Sequence, residues 1–108
     1  MSAFSDIVMR GHPSNKPVNN WQPYSDDETA DFMAYFGKIH KALFDYKGKL
    51  MDEAVMKGTL ITRPLFYEFP EDEKSWLVKD QFMLGSDILV APIFEVGSST
   101  RDVYLPPG

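Results

Sequence analysis

The stretch Asp80 to Phe94, reading Asp-Gln-Phe-Met-Leu-Gly-Ser-Asp-Ile-Leu-Val-Ala-Pro-Ile-Phe, constrains this chain more than any other. Ile88 to Ala91 form an uninterrupted apolar run bounded by Gly85-Ser86-Asp87 and by Pro92, and a short bounded run of this kind predicts a strand covered on both faces. Such a strand needs partners. Phe82, Met83 and Leu84 can supply one by pairing back across the Gly-Ser-Asp turn, and Val103, Tyr104 and Leu105 are near enough along the chain to supply another. The pattern predicts sheet core and carries no chemistry of its own.

Upstream, Phe4 to Met9 reads as a short strand, with Phe4, Ile7, Val8 and Met9 around Ser5 and Asp6. Arg10 to Pro23 is then rich in Gly, Pro and Asn and reads as a long loop, a length at which loops are usually functional. Arg10, His12, Asn15, Lys16, Trp21, Gln22 and Tyr24 give it donors, acceptors and aromatic faces suited to a polyhydroxylated ligand. The same residues also suit a solvated connection whose Trp and Tyr cap the core.

Ser25 opens a helix that extends to Lys57. Ser25 and Glu28 have capping-box spacing, and Asp26 and Asp27 put negative charge where the helix dipole favours it. Phe32, Phe36, Ile39, Leu43, Tyr46, Leu50 and Ala54 recur at steps of three and four along one face, while Lys38, Lys41, Lys47, Lys49 and Lys57 spread over the rest. Gly37 and Gly48 leave room for a kink, Lys57-Gly58 is a stop signal, and His40 reads as a boundary residue. Thr59 to Phe69 looks extended, with Pro64 at a sheet edge or bulge. Pro70 to Glu73 reads as an acidic turn, and Arg101 to Leu105 as a last strand.

Composition removes several function classes. A net charge of -5 and the absence of any Lys/Arg cluster argue against nucleic acid or an anionic membrane as partner. With no cysteine and two separated histidines, His12 and His40, a Cys- or His-based metal site is not expected, nor is any cofactor. No Gly-x-Ser-x-Gly elbow or phosphate-cradling glycine loop is present, so nucleophilic triads and nucleotide sites are excluded. The 108 residues make at most one domain's worth of core.

Five motifs in one order point further. They are Met9-Arg10-Gly11-His12; Arg63-Pro64-Leu65-Phe66-Tyr67-Glu68-Phe69-Pro70-Glu71-Asp72; Asp80 to Gly85; Leu89-Val90-Ala91-Pro92; and Val103 to Gly108. Together they resemble the C-terminal part of the catalytic region of glycoside hydrolase family 31, the α-glucosidase and α-xylosidase family. The resemblance covers essentially the whole chain but a small part of a family member. It implies an α/β arrangement in which residues 1–58 are the eighth strand, loop and eighth helix of a (β/α)8 barrel, and 59–108 are the first antiparallel strands of a β-sandwich. Both ends then look like cuts.

The family's Arg-x-His motif falls on Arg10 and His12. The resemblance implies that His12 hydrogen-bonds sugar hydroxyls at the C-terminal mouth of the barrel, where such active sites lie, with Arg10 supporting the rim. It also implies retaining hydrolysis of an α-glycoside by two carboxylates about 5 Å apart, neither with a counterpart in this chain. The chain alone is therefore expected to be inactive, and to self-associate through open strand edges. Where the family commonly has Leu-Pro-Tyr, this chain has Phe44-Asp45-Tyr46, without the kinking proline. The loop, with Asn15, Pro17, Asn20 and Gln22 after His12, looks more like the sulfoquinovosidase branch. The competing expectation is a small noncatalytic α+β binding or assembly module.

Overall fold

A computed structural model of the chain describes residues 2–5, 20 and 22–107. The apolar run and its turn form a hairpin, with β2 (Phe82–Leu84) and β3 (Ile88–Val90) antiparallel in the register Phe82↔Val90, Met83↔Leu89 and Leu84↔Ile88. Gly85 starts the turn at φ +63, in the left-handed region where glycine is least penalised. β1 (Thr62–Pro64) pairs antiparallel with the other side of β2, giving the order β1-β2-β3. Pro64 thus ends an edge strand, where its missing N–H costs no ladder bond.

Two expectations for the sheet need correction. The central strand is Phe82–Leu84, and Ile88–Val90 lies at an edge among the described residues. Val103 to Leu105 form no strand. The Gln81 side chain takes the partner's place, its Nε2 donating to Tyr104 O and its Oε1 accepting from Tyr104 N, both at 2.8 Å. A primary amide presents the same donor and acceptor pair as a peptide group, so this tail is extended and pinned without a ladder. Thr59 to Phe69 is likewise only partly extended. After Pro64 the chain turns into a single helical turn, α3 (Leu65–Glu68), which buries Leu65 completely.

The long helix is two helices, α1 (Asp27–Ala42) and α2 (Phe44–Lys57), with Leu43 between them at φ -83, ψ 3. The bend uses neither Gly37 nor Gly48. It falls just before Phe44-Asp45-Tyr46 and forms without a proline, the hydrogen bonds Leu43 N to Ile39 O (3.0 Å) and Lys47 N to Leu43 O (2.9 Å) running through it. Asp26, rather than Ser25, is the N-cap: Oδ1 accepts from Thr29 N at 2.7 Å and Oδ2 from the Thr29 hydroxyl at 2.9 Å. Ser25 instead closes the preceding turn, accepting from Gln22 N at 2.7 Å. At the other end Gly58, at φ +70, donates to Ala54 O and stops α2 as expected.

Phe4 ends a 3-10 turn (Ser2–Phe4) and so does not begin a strand; the rest of the expected strand, residues 6–9, lies outside the described residues. The core is Leu50 of α2 against Leu84 and Val90 of the hairpin, with Phe4, Leu43, Tyr46, Ile61, Phe82 and Ile88 around it. The expected apolar stripe is buried only in its second half. α2 buries Leu50, whereas α1 buries no residue and leaves Phe32 62% exposed. Among the described residues no helix is long and apolar enough to cross a membrane.

Hairpin and helix meet at Gly85. A Cβ there would meet the Tyr46 hydroxyl and the Leu50 methyls, Cδ2 at 2.6 Å and Cδ1 at 2.9 Å. Gly85→Ala therefore combines a left-handed φ with a steric collision and is expected to destabilise the chain by about 3 kcal/mol or more. An unchanged urea midpoint would refute the close approach.

Candidate functional site

The residues expected to contact substrate, Arg10 and His12, lie outside the described residues, as do Asn15, Lys16 and Trp21. Of the same loop, Gln22 Nε2 donates to Asn20 O at 3.4 Å, and the Tyr24 ring is solvent-facing. The loop delivers the chain to the Asp26 cap, so its end is anchored at the start of α1.

Beside that helix, Lys47 is nearly buried, contrary to its expected place on the solvated face. Its Nζ donates to Ala3 O at 3.1 Å and lies 2.9 Å from His40 Nδ1, which is itself 3.2 Å from Ala3 O. With the ammonium donating, Nδ1 is the acceptor. Lys47 thus joins α2 both to His40 of α1 and to the N-terminal turn. Sequence periodicity misses this because the Lys47 stem packs along the helix while only its tip needs a polar partner.

The Arg63-Pro64 motif builds a second cluster. Arg63 is buried on β1; it donates through Nε to Leu60 O and pairs through one terminal nitrogen with Glu68 of α3, while the other lies 3.5 Å from Glu53 of α2. Its guanidinium carbon sits 5.6 Å from the Tyr67 ring centre. Burial pulls the Arg63 pKa down, but the Glu68 hydrogen bond and the Glu68 and Glu53 charges outweigh it, so the guanidinium is held above its ordinary value. The acids Glu53 and Glu68 are thus engaged by a cation.

A third cluster closes on Asp72. Asp72 Oδ2 accepts from the Ser75 hydroxyl at 2.6 Å and the Tyr104 hydroxyl at 2.7 Å, and Oδ1 accepts from Lys74 N at 3.2 Å, capping the 3-10 turn Glu73–Trp76. Ser75 and Tyr104, in that order, hold the carboxyl below the usual aspartate range, and Asp72 in turn raises the Tyr104 phenol. Trp76 stacks on Phe66 at 4.5 Å and donates to Pro70 O at 3.0 Å. Past the hairpin, Arg101 donates to Pro92 O (2.7 Å) and Asp80 O (3.0 Å) and pairs with the Asp80 carboxylate at 2.5 Å. Among the described residues no three His, Cys, Asp or Glu gather closely enough to hold a metal ion.

These polar groups lock local structure, and the chemistry they can perform is positional. Asp72, Ser75 and Tyr104 fix the acidic corner after α3, and Arg63 fixes α3 to β1.

Residues 58–108 match the glycosyl hydrolase family 31 C-terminal domain. The chain is 36% identical over 106 residues to a sulfoquinovosidase of Agrobacterium fabrum, and 37% identical over 105 residues to one of Escherichia coli, alignments that take in 98% and 97% of it. It is 36% identical to the lysosomal α-glucosidase of Mus musculus over 93% of its length. It spans only 16%, 15% and 10% of those three proteins. Among solved structures, a sulfoquinovosidase from E. rectale in complex with an aza-sugar inhibitor superposes on 96% of this chain with a TM-score of 0.90 at 33% identity, and this chain covers 15% of it. An α-xylosidase from a soil metagenome, complexed with xylose, superposes on 78% with a TM-score of 0.76 at 36% identity.

Two outcomes follow from the clusters. Arg63→Met leaves Glu68 and Glu53 without their cation. Both can partly rehydrate, so the expected loss is about 2–3 kcal/mol, below the roughly 3–5 of a fully buried pair, read as a lowered urea midpoint at unchanged slope. The folded pKa of Asp72 lies below its unfolded value, so its contribution is complete above the ordinary aspartate pKa of about 3.9 and is lost as pH falls through the depressed value. Asp72→Asn is therefore expected to flatten the acid limb of stability against pH, while Tyr104→Phe flattens the alkaline limb, where the raised phenol loses its proton. Wild-type acid and alkaline slopes in both variants would refute the pairing.

Proposed function

Because the chain belongs to glycoside hydrolase family 31, we propose that its 108 residues are a noncatalytic part of a retaining α-glycoside hydrolase, supplying a substrate-binding loop and the start of the domain beside it. The observation that carries this reading is the superposition on the E. rectale sulfoquinovosidase, which runs through both halves of the chain at once.

In this reading residues 1–58 are the end of a (β/α)8 barrel, with α1 and α2 as its last helix, and 59–108 open a β-sandwich. The family match starting at residue 58, together with the helix stop at Gly58, supports a division there. Arg10 and His12 stand at the barrel mouth. The His12 imidazole can donate to one sugar hydroxyl and accept from another, fixing the ring in the cleaved subsite, while Arg10 braces the rim. The two carboxylates of retaining hydrolysis come from outside these residues. The carboxylates seen here with partners are otherwise engaged: Asp26 in a helix cap, Asp72 with Ser75 and Tyr104, Asp80 with Arg101, and Glu53 and Glu68 with Arg63. For substrate, the superposition on the E. rectale sulfoquinovosidase over 96% of the chain at a TM-score of 0.90 supports an α-sulfoquinovoside, while the alignment to the mouse lysosomal α-glucosidase over 93% of the chain makes an α-glucoside the second substrate to test.

The test is a chimera in which this chain replaces the matching segment of the Agrobacterium fabrum sulfoquinovosidase. It is assayed on p-nitrophenyl α-sulfoquinovoside and α-glucoside beside the isolated chain. The expected result is turnover by the chimera, none by the isolated chain, and a fall of about 100-fold in kcat/KM on His12→Ala, equivalent to about 2.7 kcal/mol of transition-state stabilisation. Turnover by the isolated chain, or an unaltered His12→Ala chimera, would overturn the reading.

A further inference from the structure

The two helices carry a second apolar line, turned away from the core that Leu43, Tyr46 and Leu50 enter. Met33, Gly37, Phe44, Gly48, Met51 and Val55 follow one another at steps of four, seven, four, three and four, the spacing of a coiled-coil seam. The hydrogen bonds through Leu43 carry that phase from α1 into α2. Its large members are all exposed, Phe44 at 76% and Val55 at 84% the most. Beyond the helix's own backbone, no described atom lies within 4 Å of a Cβ added at Gly37 or Gly48, so both glycines are open holes in the line.

One flank of this line is charged in blocks. Lys38 and Lys41 lie beside its α1 half and Asp45 and Asp52 beside its α2 half, all of them exposed. Among the described residues none of the four has an ion-pair partner.

We propose that the line is a homodimer interface, on which a second copy of this chain lies antiparallel with the two-fold axis beside Phe44. The order of charge selects that occupant. A partner helix must present acids to Lys38 and Lys41 and bases to Asp45 and Asp52, and the chain itself, reversed, has that order. The two-fold sets Lys38 against Asp52 of the second copy and Lys41 against Asp45 of the second copy, and each pair occurs twice. A parallel copy would set lysine against lysine. The antiparallel register also brings Met51 of the second copy over Gly37 and Val55 of the second copy beside Met33, with the two Phe44 rings meeting at the axis. Large side chains thus face holes or apolar neighbours along the whole seam. The net charge of -5 opposes association at long range, but it is screened beyond about 8 Å at physiological ionic strength, whereas the paired flanks are in contact. Self-association of the chain is thereby assigned to its helices and not to its open strand edges, independently of its part in hydrolysis.

The experiment is sedimentation equilibrium of the 108-residue chain and four variants, with circular dichroism to check that each is folded. The wild type is expected to form a closed dimer at micromolar concentration. Phe44→Asp, at an exposed position, is expected to be monomeric with unchanged helix content. The double variant Lys38→Asp with Asp45→Lys keeps the net charge but sets like charges opposite in both pairs, and is expected to raise the dimer Kd by about tenfold or more. Adding Lys41→Asp and Asp52→Lys restores opposite charges throughout, again at the same net charge, and is expected to restore the wild-type Kd. Should Phe44→Asp fail to fold, Val55→Asp on the same line takes its place. A monomeric wild type, a dimer that survives Phe44→Asp or Val55→Asp, or a Kd indifferent to the charge exchange would overturn the proposal. Open-ended association that only changes in Ile88 to Val90 abolish would overturn it too, in favour of the strand edge. Mass is the readout throughout, so these outcomes are separable from turnover of any glycoside.

Discussion

The fold turns on one hydroxyl. Tyr46 on α2 donates to Leu84 O at 2.9 Å and accepts from Asp87 N at 3.3 Å, so a single helical side chain satisfies a carbonyl and an amide of the hairpin turn. The contact requires that residue 85 have no Cβ, and its left-handed φ is the conformation in which glycine is least penalised. Burial raises the Tyr46 phenol, which keeps the donating form through the ordinary pH range. Leu50, one turn on, packs into the Leu84 and Val90 cluster. Helix, turn and sheet are thereby set in one register.

Around that joint the chain uses side chains where a larger sheet would use ladders. Only three residues of each strand pair, too few to hold the following tail. The Gln81 amide and Arg101 make the difference, one pinning Tyr104 and the other bridging Asp80 to Pro92 O. Tyr104 then reaches Asp72 and connects the tail to the acidic corner. The polar residues of the motifs shared with the family are thus mechanical: they fix the geometry of a domain that itself performs no bond breaking in the proposed scheme.

The elements legible in sequence were those with a strong local signal. The Gly-Ser-Asp turn between apolar runs announced the hairpin, Lys57-Gly58 the end of α2, and Pro64 an edge. Three features were not legible because their determinants are nonlocal. The bend at Leu43 has no proline or glycine of its own. Lys47 looks solvated on a helical wheel because periodicity cannot see Ala3 O or His40 across the interface. Val103 to Leu105 has strand composition, but whether it enters a ladder depends on Gln81, more than twenty residues away. For the candidate site, Arg10 and His12 were marked by motif alone, since nothing in spacing or composition singles out one polar loop residue over another.

The half-buried amphipathic stripe is the deeper mismatch between local pattern and described structure. α1 carries Phe32, Phe36 and Ile39 on one face, yet buries none of them fully. A helix of 16 residues gains little from backbone bonds alone and in water is marginal without tertiary cover. Its ties to the described fold include the Asp26 cap, the edge contact of Phe36 with Phe4, the hydrogen bond of His40 with Lys47, and continuity through Leu43. An apolar face of that size is stabilising only when water is removed from it. The ordering of α1 is therefore coupled to the removal of water from that face.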